Sequence, residues 1–346
     1  MRLNKKVKIA NKWVGDGYPC FIIAEAGSNH DRKLPQAKKL IDVAKKAGAD
    51  AVKFQIYSAE TLYSRALKAL PSEREKPFNV IKKIEIPRKW ISVLANYSKK
   101  QGLIFLSTPF DKEAVDQLNS FVPAFKWASP ELIDRPLLEY AAKKGKPLII
   151  STGFYGLKEV SEAVKWVYQV GNNKIILLHC AGLYPTLPEE VNLKVIPSLK
   201  KKFHIPIGLS DHTLDTIIPA AAVALGTNIV EKHFTLSRKL KGPDHPFALE
   251  PDELKEMVRN IRNIEKSLGS GIKKPAKREI EKEKLIRRGI VAARDVKRGE
   301  KITLKNITTK RIGQGAILPK YYKNILGKKL LFNIKADQKI TWKMIQ

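Results

Sequence analysis

The chain has 346 residues, 43% of them hydrophobic, and a formal net charge of +31. This length allows one large domain and a smaller one. Its cysteines, Cys20 and Cys180, are far apart and form no CxxC pair, which excludes a disulfide framework and a thiolate zinc site and fits a reducing cytoplasm. The basic N-terminus lacks the apolar region of a secretory signal, and no apolar run reaches the length of a membrane span. We therefore expect a cytoplasmic protein without membrane contact.

Eight apolar, strand-like runs follow one another along the chain, and helical patterns fill the gaps. The helical pattern over 34–47 places apolar residues on one face, and Gly48 follows as a C-cap. Eight strand–helix units over about 250 residues predict a (β/α)8 TIM barrel, with a doubly wound sheet as the alternative. The predicted strands are 21–27, 51–57, 104–110, 124–131, 147–153, 175–180, 206–212 and 229–235.

The composition changes after a predicted helix at 251–268. We expect a barrel domain over 1–268, a polar and basic linker over 269–288, and a small domain over 289–346. Short strands are predicted there at 290–293, 301–303 and 330–334, separated by glycines. A domain of about sixty residues gains little from folding alone, so we expect it to rest on a partner surface.

The positive charge has two interpretations. A basic C-terminal domain could bind nucleic acid. The lysines are instead spread over many helices without interleaved aromatic residues, which favours a lysine-rich solvated surface and no nucleic-acid partner. A positive field also attracts small phosphorylated or carboxylated substrates.

Two histidines stand where neighbouring strands end: His212 in IGLSDHT and His233 in VEKHFT. Polar residues at the C-terminal ends of parallel strands form the active sites of such barrels. Two imidazoles from adjacent strands predict a divalent metal site. The alternative is that each histidine is a hydrogen-bonded structural residue.

Other polar residues fall at the same ends of the predicted strands. Lysines and hydroxyls around one pocket suit a phosphate or carboxylate, and carboxylates beside a metal suit proton transfer. Lys53 and Lys126 could instead form salt bridges with Glu25 or Glu131, or one of them could act as a Schiff-base nucleophile. The residues that we expect at this end are Glu25, Lys53, Gln55, Thr108, Lys126, Ser129, Glu131, Ser151, Tyr184, Ser210 and Glu231.

Nine ordered segments resemble the signature segments of the sialic acid synthase family, which includes the N-acetylneuraminate, legionaminate and pseudaminate synthases. They are IAEAGSNH, ADAVKFQ, STPFD, KWASPEL, STGF, LHCAGLYPTLPEEVNL, IGLSDHT, AVALGTNIVEKHFT and KGPDH. The resemblance runs from about residue 18 to the end. The C-terminal segment, with RDVKRGE at 294–300 and Lys310-Arg311, resembles the SAF (antifreeze-like) domain of these enzymes.

The resemblance implies a reaction. Phosphoenolpyruvate (PEP) condenses with the open-chain aldehyde of an N-acetylated hexosamine, giving a nine-carbon 2-keto sugar acid and phosphate. It also implies a divalent cation, Mn2+ with Mg2+ or Co2+ as alternatives, that acts as a Lewis acid. The acceptor stays open among N-acetylmannosamine, its 6-phosphate and a dideoxy diacetamido sugar.

The resemblance further implies roles for single residues. His212 and His233 resemble the metal ligands, with Gln55 near the metal, and Glu131 resembles the proton-transfer residue, with Glu25 as a second candidate. Arg311 resembles an arginine that the SAF domain of one subunit places over the active site of its partner, which implies a domain-exchanged homodimer. The resemblance implies PEP contacts at Lys53, Thr108, Lys126, Ser129, Ser151 and Ser210, and sugar contacts at Tyr184, Glu231, Asp244 and Arg311.

Three positions depart from the family pattern. Gly182 stands where many members have Asn or Ser, Asp134 where Asn is usual, and Arg32 where a glycine follows the Asn-His pair. Two other functions remain open: a Schiff-base pyruvate aldolase, and a non-catalytic protein that binds carbohydrate or nucleic acid.

Overall fold

The computed structural model describes residues 3–69 and 75–346, and the chain forms two compact units, Met1–Gly269 and Ser270–Gln346. The first unit contains a closed barrel of eight parallel strands, which confirms the predicted TIM barrel. The barrel strands are β3 (Phe21–Glu25), β4 (Ala51–Ile56), β5 (Ile104–Pro109), β6 (Phe125–Trp127), β7 (Leu148–Ser151), β8 (Ile175–Cys180), β9 (Ile207–Asp211) and β10 (Ile229–His233). Strand β10 pairs with both β9 and β3, which closes the ring.

Helices surround the barrel, and the predicted helix over 34–47 is present with the same bounds. Gly48 ends it in a left-handed conformation, as expected of a C-cap. The helices of this unit are α1 (Leu34–Ala47), α2 (Ala59–Leu62), α3 (Pro77–Ile84), α4 (Trp90–Lys100), α5 (Lys112–Asn119), α6 (Arg135–Ala142), α7 (Leu157–Gln169), α8 (Pro188–Val191), α9 (Val195–Phe203), α10 (Ile217–Ala224) and α11 (Pro251–Ser267). No helix of the described residues is long and apolar enough to cross a membrane.

A β-hairpin that the sequence analysis missed closes the N-terminal end of the barrel. Its strands, β1 (Lys6–Ile9) and β2 (Lys12–Gly15), pair antiparallel. Val7, Ile9 and Val14 are buried in one cluster with the lower inward-facing residues of the barrel strands, such as Phe21. The four-residue strands are too short to give a clear alternating pattern in a lysine-rich segment.

The second unit has its own core of aliphatic side chains, among them Ile290, Ile302 and Ile334. It contains α12 (Lys277–Ile286), β11 (Arg288–Ala292), β12 (Ile307–Arg311) and α13 (Tyr322–Ile325). Helix α12, which buries no residue, lies within the predicted linker, where Ala276 donates its backbone N–H to the Glu279 side chain at the helix start.

Two predicted strands of this unit, 301–303 and 330–334, are wrong. Lys301 pairs only with Lys329, and Leu330 pairs only with Ile345, each as an isolated bridge. Gly299 and Gly327 turn the chain with positive φ beside these bridges, so the pairing stops after one residue.

Candidate active site

The inward-facing side chains of the barrel strands change from apolar to polar along each strand. In β3, Phe21 and Ile23 face the lower core, whereas Glu25, two residues further, stands at the upper end. In β10, Ile229 lies in the lower core, and Glu231 and His233 follow at the same spacing. Because side chains alternate across a strand, this period of two places the polar residues of all strands at one end of the barrel.

Two buried lysines and two buried carboxylates form the floor of the site. Lys53 Nζ lies 2.8 Å from Glu25 Oε2 and 3.8 Å from Glu231 Oε2. Lys126 Nζ lies 3.5 Å from Glu231 Oε1. The suggested ion pair of Lys53 with Glu25 is therefore present, whereas Lys126 faces Glu231 and not Glu131.

Burial and neighbouring charge have opposite effects on the pKa values of Lys53, Lys126 and Glu231. Burial disfavours the Lys53 ammonium, but Glu231 and Glu25 together raise its pKa above the usual value. Burial lowers the pKa of Lys126, and Glu231 offsets this only in part. Burial also opposes the charge of Glu231, yet Lys126 and Lys53 hold its pKa below the usual range. A further anion at this floor would meet two cations in a largely desolvated place.

Hydroxyl groups surround the two lysines. Lys53 donates to Thr108 Oγ1 at 3.2 Å, and Lys126 donates to Ser151 Oγ at 2.7 Å. Ser210 Oγ donates to Glu231 Oε1 at 3.1 Å. Ser129 Oγ accepts the backbone N–H of Gly153 at 2.9 Å. Each hydroxyl keeps further hydrogen-bonding capacity for a ligand.

The two imidazoles lie beside this floor, with their ring centroids 5.5 Å apart. His212 Nδ1 lies 2.9 Å from the carbonyl oxygen of Ala181, which fixes the ring. Burial, followed by the neighbouring His233, lowers the pKa of His212 to about 3, so the imidazole is neutral. His233 Nδ1 has no hydrogen-bond partner, and Asp244 Oδ2 lies 3.9 Å from it.

This donor set fits a divalent cation. A neutral imidazole whose second nitrogen is held by a carbonyl oxygen is the usual form of a metal-ligating histidine. Gln55 donates its amide N–H to Glu25 Oε1 at 2.7 Å, and its carbonyl oxygen stays available beside the histidines. Among the described residues, no group of three or more His, Cys, Asp and Glu side chains is placed to hold a metal. A cation held by these two histidines would therefore take its other ligands from amide oxygen, water or substrate.

Glu131 lies just outside this cavity. It belongs to the 3-10 helix Pro130–Ile133 that follows β6. Its Oε2 atom is buried without a hydrogen-bond partner, and burial raises the pKa of the carboxyl group to about 7. A carboxyl group with this pKa can both give and take a proton near neutral pH.

Asp244 is held by the loop that follows β3. Its Oδ2 accepts the backbone N–H of Ser28 at 2.8 Å. The next residue, His245, is fully buried between Thr235 Oγ1 at 2.6 Å and Asp31 Oδ1 at 2.9 Å. A Cβ atom at Gly27 would collide with the Asp244 carboxylate, so only glycine fits there. The Gly-Pro-Asp-His turn is therefore a fixed part of the site's rim.

Most of the predicted site residues meet in one cavity, and four do not line it. Glu25, Glu131 and Asp244 lie next to the cavity, through the contacts given above. Arg311 is exposed at the end of β12 in the second unit. The predicted residues that line the cavity are Lys53, Gln55, Thr108, Lys126, Ser129, Ser151, Tyr184, Ser210, His212, Glu231 and His233.

Five lining residues were not among the predicted site residues: Ala128, Pro130, Phe154, Cys180 and Gly182. Cys180 ends β8, and the alternation of inward-facing residues in that strand could have identified it. Phe154 follows β7 within the quoted segment STGF, but a phenylalanine after a strand gives no signal of exposure at a cavity mouth. Gly182 was noted only as a departure from the family pattern.

A closed (β/α)8 barrel with converging charged groups at the C-terminal ends of its strands defines this unit as a protein of the barrel-enzyme type. The NeuB family model matches residues 40–273, and the SAF domain model matches residues 287–346. The chain belongs to the NeuB family and carries a C-terminal SAF domain.

Relatives of the chain include synthases named for legionaminic acid and N-acetylneuraminate products. The chain is 38% identical to the N,N'-diacetyllegionaminic acid synthase of Legionella pneumophila, with 96% of each chain covered. It is 36% identical to the N-acetylneuraminate-9-phosphate synthase of Homo sapiens, over 96% of this chain and 95% of the relative. The solved structure of the N-acetylneuraminic acid synthetase of Leptospira borgpetersenii matches with a TM-score of 0.74 and 36% identity, over 81% of this chain and 96% of that chain.

Proposed function

We propose that this chain condenses PEP with the open-chain aldehyde of an N-acetylated hexosamine, in a metal-dependent reaction that gives a nine-carbon 2-keto sugar acid and phosphate. The observation that supports this best is the buried floor with Lys53 and Lys126 beside the two imidazoles of His212 and His233, in a member of the NeuB family. The synthases named above are named for products that carry N-acetyl groups, which supports an N-acetylated acceptor.

PEP is a strongly anionic substrate, and the floor offers opposing charge. Lys53 and Lys126 supply two ammonium groups, and hydroxyl donors surround them. The phosphate and carboxylate of PEP would join Glu25 and Glu231 as partners of the two lysines. The proposed PEP-binding residues are Lys53, Thr108, Lys126, Ser129, Ser151 and Ser210.

His212 and His233 would hold the divalent cation, proposed to be Mn2+, with Gln55 beside it. When bound, the cation supplies Lewis-acid polarisation of the aldehyde oxygen. The protein's own contribution is to keep the His212 imidazole neutral through burial and to orient it through its hydrogen bond with Ala181.

The reaction needs one carbon–carbon bond and three proton transfers. PEP C3 attacks the aldehyde carbon, and the aldehyde oxygen takes up a proton and becomes a hydroxyl. Water adds to C2 and gives up one proton, which balances the proton taken up by the aldehyde oxygen. The C2 hydroxyl then loses its remaining proton to the departing phosphate as the C2–O bond to phosphate breaks and the 2-keto group forms. We assign the first two of these proton transfers to Glu131, whose pKa of about 7 suits both directions, with Glu25 as the second candidate.

The acceptor sugar would lie at the cavity mouth, above the anion floor. Tyr184 stacks on His212 with ring centroids 4.0 Å apart and is half exposed. Glu231 and Asp244 offer carboxylates for sugar hydroxyls. We propose Tyr184, Glu231, Asp244 and Arg311 as the sugar contacts.

Arg311 can take this role only in a domain-exchanged homodimer, in which the SAF domain of one subunit completes the site of the other. The test is complementation between two inactive variants. An Arg311→Ala subunit mixed with a His212→Ala subunit should regain part of the activity, because one site of the heterodimer is then intact. A mixture with verified subunit exchange that stays as inactive as each variant alone would exclude action across the dimer.

The proposed reaction is tested by phosphate release from PEP against a panel of N-acetylated sugars, with and without Mn2+. The panel contains N-acetylmannosamine, its 6-phosphate and a dideoxy diacetamido sugar. Release that depends on both the sugar and the cation is expected. Sugar-independent release, or full activity with excess chelator, would contradict the proposal.

A Schiff-base pyruvate aldolase is the second candidate, favoured by the lowered pKa of the buried Lys126. Borohydride reduction in the presence of pyruvate separates the two functions. A covalent adduct on Lys126 would favour the aldolase, whereas an unmodified chain that releases phosphate from PEP would favour the synthase.

A further inference from the structure

Phe154 is an exposed aromatic residue in a strained position at the mouth of the cavity. It follows β7 and has a positive φ of 69°, a conformation that a bulky residue other than glycine rarely adopts. Its side chain is 65% exposed, although it lines the cavity together with Ser129 and Ser151. Strain and exposure combined at a binding site indicate a role in ligand contact, because neither stabilises the fold.

The ring of Phe154 occupies the space that a side chain at position 182 would need. A Cβ atom on Gly182 would overlap the ring atoms Cζ, Cε1 and Cε2 of Phe154. Gly182 and Phe154 therefore form a matched pair, in which the absence of a side chain on one allows the ring of the other to lie there. The departure at Gly182 replaces a polar group with an aromatic surface.

The mouth of the cavity differs in chemistry from its floor. Phe154 and Tyr184 both line the cavity and are more than half exposed, which places them at its mouth. Lys53 and Lys126 are the lysine or arginine side chains that line the cavity within the described residues, and both are engaged at the floor. An aromatic surface suits the C–H face and acyl methyl groups of a sugar.

We propose that Phe154 is a specificity-determining residue, which contacts the apolar face of the acceptor sugar and favours an acceptor rich in acyl and deoxy groups. This inference rests on the proposed function and deepens it. Among the three acceptors left open above, it favours the dideoxy diacetamido sugar. Gly182 is the positioning partner that lets the ring take its place.

The test removes the aromatic ring with a substitution that tolerates the positive φ at position 154. Phe154→Gly accepts the positive φ, and we expect it to raise the KM for the dideoxy diacetamido sugar about tenfold, the scale of one lost apolar contact in a pocket. The KM for PEP should change less than twofold. Phe154→Tyr, which keeps the ring, should retain the acceptor KM, and Phe121→Ala, which removes another exposed ring from the same unit, should change neither value.

The pairing with Gly182 gives a second readout. Gly182→Ala displaces the ring and should raise the acceptor KM as Phe154→Gly does. Because the collision disappears when the ring is absent, the double variant should be no worse than Phe154→Gly alone. Additive losses in the double variant would overturn the assigned pairing.

Calorimetric binding of the same three sugars, measured without turnover, separates this inference from the proposed function. If the wild type binds a sugar but releases no phosphate from PEP, the proposed reaction fails, and the comparison with Phe154→Gly still decides the role of the ring. If binding and turnover are present but Phe154→Gly leaves the acceptor affinity unchanged, or weakens PEP equally, the inference fails. A loss of dimer in Phe154→Gly, seen by light scattering, would also overturn it, since the ring would then be an intersubunit contact.

Discussion

The buried carboxylates at the two ends of the barrel differ in how fully they are paired. At the N-terminal end, Asp50 accepts the backbone N–H of Ile22 at 2.8 Å and forms ion pairs with Lys12 and Arg262. At the C-terminal end, Glu25 Oε2 and Glu231 Oε2 share one cation, Lys53, and Glu131 Oε2 is buried without a hydrogen-bond or ion-pair partner among the described residues. A buried carboxylate without a partner destabilises a fold, so its position beside the cavity indicates a group kept for a ligand.

The comparison implies that substitutions at the C-terminal end change activity and those at the N-terminal end change stability. The largest expected effect concerns the imidazoles. His212→Ala or His233→Ala should remove bound metal, measured as metal content after dialysis, and lower kcat by about a thousandfold or more, since a Lewis-acid cation supplies several kcal/mol to a transition state.

A histidine outside the site provides the control for this prediction. His204→Asn changes an exposed histidine at the end of α9, in a left-handed conformation that asparagine tolerates. This variant should keep both metal and activity. A His212→Ala protein with full metal content and full activity would contradict the assignment of the imidazoles as metal ligands.

The next largest effect is on the anion floor. Lys53→Met should raise the KM for PEP about a hundredfold, because one of two buried cations is lost to a strongly anionic substrate. The KM for the sugar should change far less. Steady-state kinetics with each substrate varied in turn provides the measurement, and equal effects on both substrates would contradict the assignment.

At the N-terminal end, the expected effect is on folding alone. Asp50→Asn should lower the free energy of unfolding by about 2–3 kcal/mol, since it leaves two partly buried cations and one backbone donor short of a charged partner. Denaturant unfolding measures the loss, and kcat/KM at 25 °C should stay within twofold of the wild type. A large loss of activity in a folded Asp50→Asn protein would mean that the two ends are not functionally separate.

The smallest expected effect is on the free energy of unfolding, and it concerns the raised pKa of the Glu131 carboxyl group. Its pKa rises from 4.5 to about 7 in the folded protein, so the native state binds more protons than the unfolded state between these values. The contribution of Glu131 to stability therefore falls as pH rises from about 4.5 to 7 and stays low above that.

Glu131→Gln removes the loss of stability that comes from ionising this buried carboxyl group. It should raise the free energy of unfolding by about 2 kcal/mol at pH 8 and by much less at pH 4, while it lowers the rate of phosphate release. Unfolding curves at the two pH values test it. Equal free energies of unfolding of the wild type and Glu131→Gln at pH 8 would show that burial does not disfavour the ionised Glu131 carboxylate.

The barrel was predictable from the sequence because its signals are local and repeated. Each strand is an apolar run followed by polar residues, and glycines end the helices, so eight units could be counted without tertiary information. The order of polar residues at the strand ends also gave most of the cavity lining, from Lys53 to His233. The N-terminal hairpin and the isolated bridges of the second unit gave no comparable signal, because each depends on a partner distant in the chain.

The sequence by itself determined the fold class, the family and the chemical types that meet at the site. Only the tertiary structure decided which groups face each other: Lys126 opposite Glu231, Glu131 buried outside the cavity, and Asp244 held by Ser28. It also decided that the ring of Phe154 fills the space beside Gly182. The physical reason is that pairing and burial depend on barrel closure, which brings β10 beside β3 across some two hundred residues of chain, and no local pattern encodes that approach.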